Sequence, residues 1–412
     1  MNLLPTFLSK LAKQQSYNIV LSMALCIPSL GITGFVMTPT AAAFSLTSYS
    51  DTGSSELGLS SKTGFEHEST DLIANGLYAR PSSTYSGMAL DGSNRKNSDY
   101  AAGLSDQWYI EEQRFGKDAL ISGLLHDDSA AISAGLKMFD WGFAQQNADG
   151  SFCTTEDKFH STSMFVESVS YSLLALKESP YSDQYAAVAE RYKPALQSAA
   201  KWMIQADVLE RGLSNNSPYT HRDYVVASAL GLTGKLTGDQ DLIDYGNQQI
   251  IAGLVRQTEE GVNPEKDGHD SSYQMAGVNY AMRWLAHFAN NTLAPAVTKM
   301  LSKALMWEES RILETGEVSA EGNTRTGGQE VTRIGEEKHI NHREIIHGFS
   351  YAASLTGDLR WEADARKVAS YYYIEDPKVM EIASKPIIAT AGTKPTVEDV
   401  FESPEKENKS QS

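Results

Sequence analysis

The chain has 412 residues, 41% of them hydrophobic and 21% charged, the composition of a soluble protein with a sizeable core in one large domain or two medium ones. Its formal net charge of −17 argues against a nucleic-acid partner, because phosphate binding needs a basic surface. No glycine-rich phosphate loop follows a predicted strand, so nucleotide binding has no support either.

The N-terminus has the pattern of an export signal. Lys10 and Lys13 precede an apolar run over residues 19–37, and Thr38-Pro39-Thr40-Ala41-Ala42-Ala43-Phe44 supplies a small-residue cleavage site. Residues 1–43 are therefore expected to be removed after Ala43, giving a periplasmic or secreted protein. An uncleaved anchor is the alternative, since the run is nearly long enough to span a bilayer. Pro28, Gly31, Gly34 and the alanine triplet favour cleavage. Cys26 falls in this segment. Cys153 is then the single cysteine of the mature chain, which excludes an internal disulfide and a cysteine-rich metal site. Cys153 as a nucleophile is supported by nothing beyond its turn after Gly150.

Residues 44–105 are rich in Ser, Thr, Gly, Asn and Asp and read as an extended, partly disordered lead-in packed over the main domain, with Tyr78 and Tyr85 as surface anchors or, alternatively, ligand contacts. From Asp106 the pattern becomes helical. Helices are expected over residues 106–125, 129–146, 161–177, 184–206, 222–235, 240–258, 271–290, 294–314, 343–355 and 360–374, separated by Gly, Pro, Asn and Asp turns. Strand-like alternation is scarce. About ten helices in five pairs make an all-α array spanning residues 106–375, either an (α/α) toroid, closed or incomplete, of about five to six helix pairs, or an open solenoid. An internal echo supports the repeat: His221-Arg222-Asp223 leads to Thr237-Gly238-Asp239, and His342-Arg343-Glu344 leads to Thr356-Gly357-Asp358. Residues 376–412 read as a disordered tail.

The candidate chemistry sits at helix starts. His160, His221, His269 and His342 begin alternate predicted helices, so an inner ring built from those helices would bring the four to one rim. One such histidine would be unremarkable. Four in phase are hard to assign to capping, because His is not a favoured N-cap. His269 and Tyr273, four residues apart, are expected on one helix face as a proton-transfer pair. A plain cap and a core tyrosine are the bland reading of the same two residues. Helix N-termini with Arg222, Arg343 and Arg325 suggest a locally anion-seeking pocket in an acidic protein. Trp108, Tyr109, Trp141 and Tyr219 are candidate stacking surfaces for sugar rings. The loop Glu321-Gly322-Asn323-Thr324-Arg325-Thr326-Gly327-Gly328 either carries Arg325 over the groove or is a plain connection.

The paired helices and the inner-helix His, Tyr, Arg and Asn set resemble the α/α-toroid polysaccharide lyases, including the alginate and chondroitin lyase groups, over roughly residues 105–373. Gln145-Gln146-Asn147-Ala148-Asp149-Gly150-Ser151-Phe152 also resembles the turn of terpene-cyclase-type toroids, which speaks to fold and not to substrate. The lyase resemblance implies β-elimination on a uronate-containing polysaccharide; no cofactor and no metal are expected. It implies Tyr273 as the acid/base tyrosine and His269 or His342 as base or carboxylate neutraliser. Asn341, Arg343 and Arg325 become the carboxylate-binding set, although Asn341 also suits a helix cap. Neutralising the carboxylate acidifies the C5 proton, so a modest base suffices.

Three other readings use the same rim. A glycoside hydrolase needs two carboxylates, for which Glu111, Asp223, Asp267, Asp270 and Glu344 are available. A nonenzymatic glycan-binding or scaffold protein would use the aromatics without His269 and Tyr273. A metal held by the four histidines requires them to converge, which rim spacing disfavours.

Overall fold

The structure is a computed structural model that describes residues 59–94, 110–152, 157–331 and 335–387. The chain divides into two units, 1–54 and 55–412, and the described residues all belong to the second. The export signal, its cleavage site, Trp108, Tyr109, Cys153 and the tail beyond residue 387 lie outside the described residues.

The described residues are all-helical, with isolated β-bridges and no strand. The helices are α1 (Gly64–Glu68), α2 (Pro81–Thr84), α3 (Gly116–His126), α4 (Ser129–Ala144), α5 (Lys158–Glu178), α6 (Ser182–Met203) and α7 (Ala206–Asn216). They continue with α8 (Thr220–Thr237), α9 (Gln240–Leu254), α10 (Ser271–His287), α11 (Ala294–Glu309), α12 (His342–Thr356), α13 (Leu359–Tyr372) and α14 (Pro377–Ala383). A π-helical segment covers Leu72–Leu77 and a 3-10 segment Ile110–Phe115. None of these helices is long and apolar enough to cross a membrane.

Two stretches differ from their sequence reading. The expected extended lead-in carries α1, the π-helix and α2, because Phe65, Leu72, Ile73 and Leu77 find core to pack on. The expected disordered tail begins with α14, capped by Asp376 and anchored by buried Val379 and Ile382. Helix α7 was also not anticipated.

Helices α3, α5, α8, α10 and α12 pack side by side in that order, and the π-helical segment packs against both α12 and α3. Each has a second helix against its outer side: α4 on α3, α6 on α5, α9 on α8, α11 on α10, α13 on α12 and α14 on the π-helix. The pairs are welded by aromatic contacts such as Phe349 of α12 against Trp361 of α13. Inner and outer helices differ for a physical reason. Helix α5 is enclosed on all sides and buries Ser161, Thr162, Ser163, Ser168, Ser170 and Ser172 among apolar neighbours. Ser170 and Ser172 satisfy their hydroxyls on the carbonyls of Val166 and Ser168, each at 2.7 Å, so no polar stripe has to face water. Helix α6 buries little beyond one face, from Tyr192 to Met203.

The Thr-Gly-Asp echo is a helix-to-helix connector. Gly238 and Gly357 adopt left-handed φ of 73° and 75° as C-caps, and Asp239 and Asp358 then cap the next helix. A second repeat emerges only in three dimensions. Gly92, Gly150, Gly261 and Gly316 all have φ between 92° and 95°, and in each a Cβ would collide with the carbonyl oxygen of Lys137, Ser198, Lys303 or Lys367. Each turn thus rests on an outer helix. Gln146 and Gln257 secure two of these turns identically: one amide donates to the turn carbonyl of Gly150 or Gly261 and to the outer-helix carbonyl of Ala195 or Met300.

Helix α1 closes one end of the inner helices, packing against α5, α10 and α12. Glu68 bonds His347 at 2.9 Å and the Tyr171 hydroxyl at 2.8 Å. Burial raises its carboxyl, and His347 and Arg283 more than offset that, leaving it at about 2. His67 bonds Ser354 through Nδ1, and its buried Nε2 has no partner. Burial, with help from Lys62, lowers His67 from 6.5 to about 4. The folded state therefore resists a proton that the unfolded chain accepts. This contribution is complete above pH 6.5 and is lost as the pH falls through 4. Denaturant unfolding at pH 7 and at pH 4 should show His67→Gln removing about 3 kcal/mol of the wild type's acid-induced loss. An equal loss in both proteins would show that His67 does not carry it.

Candidate functional site

The opposite end of the inner helices is open, and there a cavity of about 730 Å³ descends between their N-termini. The third helical residue of five inner helices lines it: Asp118 of α3, His160 of α5, Arg222 of α8, Tyr273 of α10 and Glu344 of α12. Helical spacing continues the wall downward, through Met164 and Ser168 on α5 and Ala276, Tyr280 and Arg283 on α10. The buried Arg283–Glu167 pair, 3.1 Å, lies at the floor, its guanidinium over the rings of Tyr171 and Tyr280. The 3-10 segment and the loop carrying Arg325, Thr326, Lys338 and His339 complete the rim.

The helix starts are positioned by carboxylates. Asp157 caps α5 through the His160 amide and also receives Arg222, joining α5 to α8. Tyr219, at the N-cap of α8, offers no cap of its own. Glu265, from the loop before α10, does that work: it accepts the His221 amide at 3.1 Å and His221 Nδ1 at 2.6 Å through one oxygen, and Arg325 at 3.4 Å through the other. Glu265 is fully buried. With Nδ1 engaged, Nε2 is the His221 nitrogen left for the cavity. Burial lowers the His221 imidazole and Glu265 only partly restores it, so the ring is neutral at pH 7. Tyr273 lies 4.9 Å from the His221 ring, centroid to centroid. The Arg325 guanidinium sits 3.6 Å above the Tyr273 ring and 4.7 Å from Tyr219. Burial raises the Tyr273 phenol and Arg325 partly opposes that, so it keeps its proton at neutral pH.

His160 is buried, and its Nδ1 has no hydrogen-bond partner. Burial, then Arg222 and His221, push its imidazole well below the usual value, so it is neutral as well. The cations of the cavity are paired. Arg114 meets Glu111 at 2.6 Å, Lys117 meets Asp118 at 3.4 Å and Arg222 meets Asp157 at 3.3 Å. Arg325 bridges Glu265 and Glu330, and Lys338 holds Glu330 at 2.7 Å. The cavity is thus charge-balanced, not the cationic pocket expected from its arginines.

His160, His221, Arg222, Tyr273, Arg325 and Asn341 all line this one cavity. His269, His342 and Arg343 do not, and the reason is helical phase. One residue along a helix turns a side chain by about 100°. His160 is third in its helix and His221 second, whereas His342 is first and His269 lies before the N-cap Asp270. Asp270 is extended, at φ −156° and ψ 118°, so His269 and Tyr273 share no helix face. His269 packs edge-on against Trp307 at 5.1 Å and meets the Glu321 carbonyl at 3.2 Å. His342 stacks flat on Tyr372 at 4.5 Å. Arg343 lies over the ring of Tyr78 at 4.9 Å. The four histidines therefore do not converge, and no group of three His, Cys, Asp or Glu among the described residues is placed to hold a metal. Tyr219 supports Arg222 and Arg325 from behind, and Trp141 lies on outer helix α4, away from the cavity.

Glu265, Arg283 and Glu167 escaped the sequence reading. Arg283 and Glu167 had a signal: each interrupts the interior of an inner helix with a charge, and the charges are opposite. Glu265 had none, because a buried carboxylate in a loop leaves no periodicity. No family model, no curated protein and no solved structure matches the chain.

Proposed function

We propose that this protein is an exported carbohydrate-active enzyme, a polysaccharide lyase that cleaves a uronate-containing polymer by β-elimination inside a six-pair α/α toroid. The packing order of the inner helices, returning through the π-helix to α3, supports the toroid. One observation carries the reaction: a neutral histidine oriented by a buried carboxylate stands beside a protonated tyrosine in a single cavity. In this reading His221 Nε2 takes the C5 proton, and Glu265 stabilises the imidazolium that results. The C4–O4 bond breaks as the C4–C5 double bond forms, and the Tyr273 hydroxyl returns a proton to the departing O4. Asn341 and the guanidinium N–H groups left over from the ion pairs of Arg325 and Arg222 would hold the uronate carboxylate. The N-terminal pattern supports export, and secreted protein should begin at Phe44.

The test is to incubate the purified protein with uronate polymers and with neutral polymers, following the ultraviolet absorbance of the unsaturated uronate product. Rising absorbance with uronate polymers alone is the expected result. New reducing ends without absorbance would replace the lyase by a hydrolase. Binding without either signal would leave a glycan-binding protein.

A further inference from the structure

Loop 319–330 carries Arg325 to the cavity, and α10 carries Tyr273. Nothing in the covalent chain places a guanidinium from one against a phenol from the other. The Thr324 amide meets the His269 carbonyl at 2.8 Å and the Ser271 amide meets the Asn323 side-chain oxygen at 3.3 Å, and the link that reaches Arg325 itself is Asp270, which is 1% exposed. Its Oδ1 accepts the amides of Ser272 at 3.1 Å and Tyr273 at 3.3 Å, an ordinary N-cap. Its Oδ2 accepts the amides of Arg325 at 3.0 Å and Thr326 at 2.7 Å, which has nothing to do with capping. The Thr326 hydroxyl lies within 3.1 Å of both oxygens, and Asn323 donates to that hydroxyl at 3.0 Å, leaving its proton for Asp270.

We propose that Asp270 is a positioning residue of the proposed site, clamping the Arg325–Thr326 backbone to the first turn of α10 so that the Arg325 guanidinium stays on the Tyr273 ring. The clamp needs an acceptor-only side chain. Four backbone N–H groups converge on it, and an amide in its place would point an NH2 group at two of them. The interaction it enforces bears on proton transfer: a cation over the phenol opposes the effect of burial on its ionisation. Glu265 and Glu330 hold the guanidinium itself, at 3.4 and 3.3 Å, whereas Asp270 holds the backbone that carries it.

This inference rests on the reading of Tyr273 as the acid, and its test is separable from that reading. The readout is the Arg325 Nε–H resonance, assigned through Arg325→Lys and displaced in the wild type by two flanking tyrosine rings. In Asp270→Asn it should move towards the position of a free arginine, and its exchange with solvent should quicken about tenfold or more. Asp128→Asn is the control, since Asp128 caps α4 through Ala130 and Ala131. It should leave stability nearly unchanged, because Asn caps about as well as Asp, and leave the resonance in place. Should Asp270→Asn not fold, Thr326→Val removes the loop-side hydroxyl while keeping the N-cap, and should move the resonance in the same direction by less. Once turnover is measurable, kcat of Asp270→Asn should fall about 10²-fold with KM little changed. An Arg325 resonance unmoved in a folded Asp270→Asn protein overturns the proposal, whatever reaction the cavity runs. A moved resonance without any lyase product would sustain the clamp and remove only the lyase reading.

Discussion

Replacing Tyr273 by phenylalanine is expected to cut turnover by about 10²–10⁴-fold while leaving polymer affinity nearly unchanged. The substitution removes one oxygen and little else. The ring keeps its place under Arg325 and beside His221, so cavity shape and the neighbouring charges survive. What is lost is the proton that burial holds on the phenol at neutral pH. Without it the C4–O4 bond must break towards an alkoxide, and the penalty falls on kcat. His269→Ala is the informative contrast. His269 faces Trp307 and the Glu321 carbonyl, so its loss should reduce turnover by less than about threefold. Initial rates and calorimetric binding on both variants decide the matter. A Tyr273→Phe enzyme with wild-type kcat, or a His269→Ala enzyme without activity, would move the chemistry elsewhere.

That contrast shows how far the sequence could be read. The ten expected helices were legible in place and most of their ends to within about a turn, because Thr-Gly-Asp and Asn-Ala-Asp-Gly punctuation marks ends and apolar spacing marks interiors, whereas α1, α2, α7 and α14 were not. The shared rim was legible too, since histidines recurring at alternate helix starts reported a real alignment of N-termini. Which histidine turns inward was not. That depends on the cap residue, and a shift of one position swings a side chain by about 100°. Asp157 and Tyr219 place the caps so that His160 and His221 face the cavity, whereas Asp270 and Asn341 place them so that His269 and His342 face away. The residues that face the cavity on those last two helices are Tyr273 and Glu344, third in each. The ion pairs were illegible for another reason. Arg222 with Asp157, and Arg325 with Glu265, join residues from separate elements, and nothing in a linear pattern announces such partners. The same arginines, read singly, suggested an excess of positive charge that the folded cavity does not have.

Glu265→Gln is expected to do more damage than any other single change at the site. The carboxylate is fully buried and holds three donors: the His221 amide, His221 Nδ1 and Arg325. A glutamine can accept from two of them with its oxygen but must turn an NH2 group towards the third. The Arg325 guanidinium then keeps Glu330 as its remaining ion-pair partner. Breaking a buried charged pair on one side destabilises by about 3–5 kcal/mol, visible as an earlier midpoint in denaturant. Turnover should fall about 10³–10⁴-fold, because the imidazole loses both its fixed tautomer and the anion that stabilises its protonated form. The pH profile separates these effects from simple loss of structure. In the wild type Glu265 raises the His221 imidazole against the lowering effect of burial. Its removal lets the imidazole fall further, so the acid limb of the rate profile should move to lower pH even as the plateau drops. General loosening of the fold would let water in, relieve the burial and move that limb to higher pH instead. An acid limb that stays where it was in a folded Glu265→Gln protein would mean that His221 is not the base.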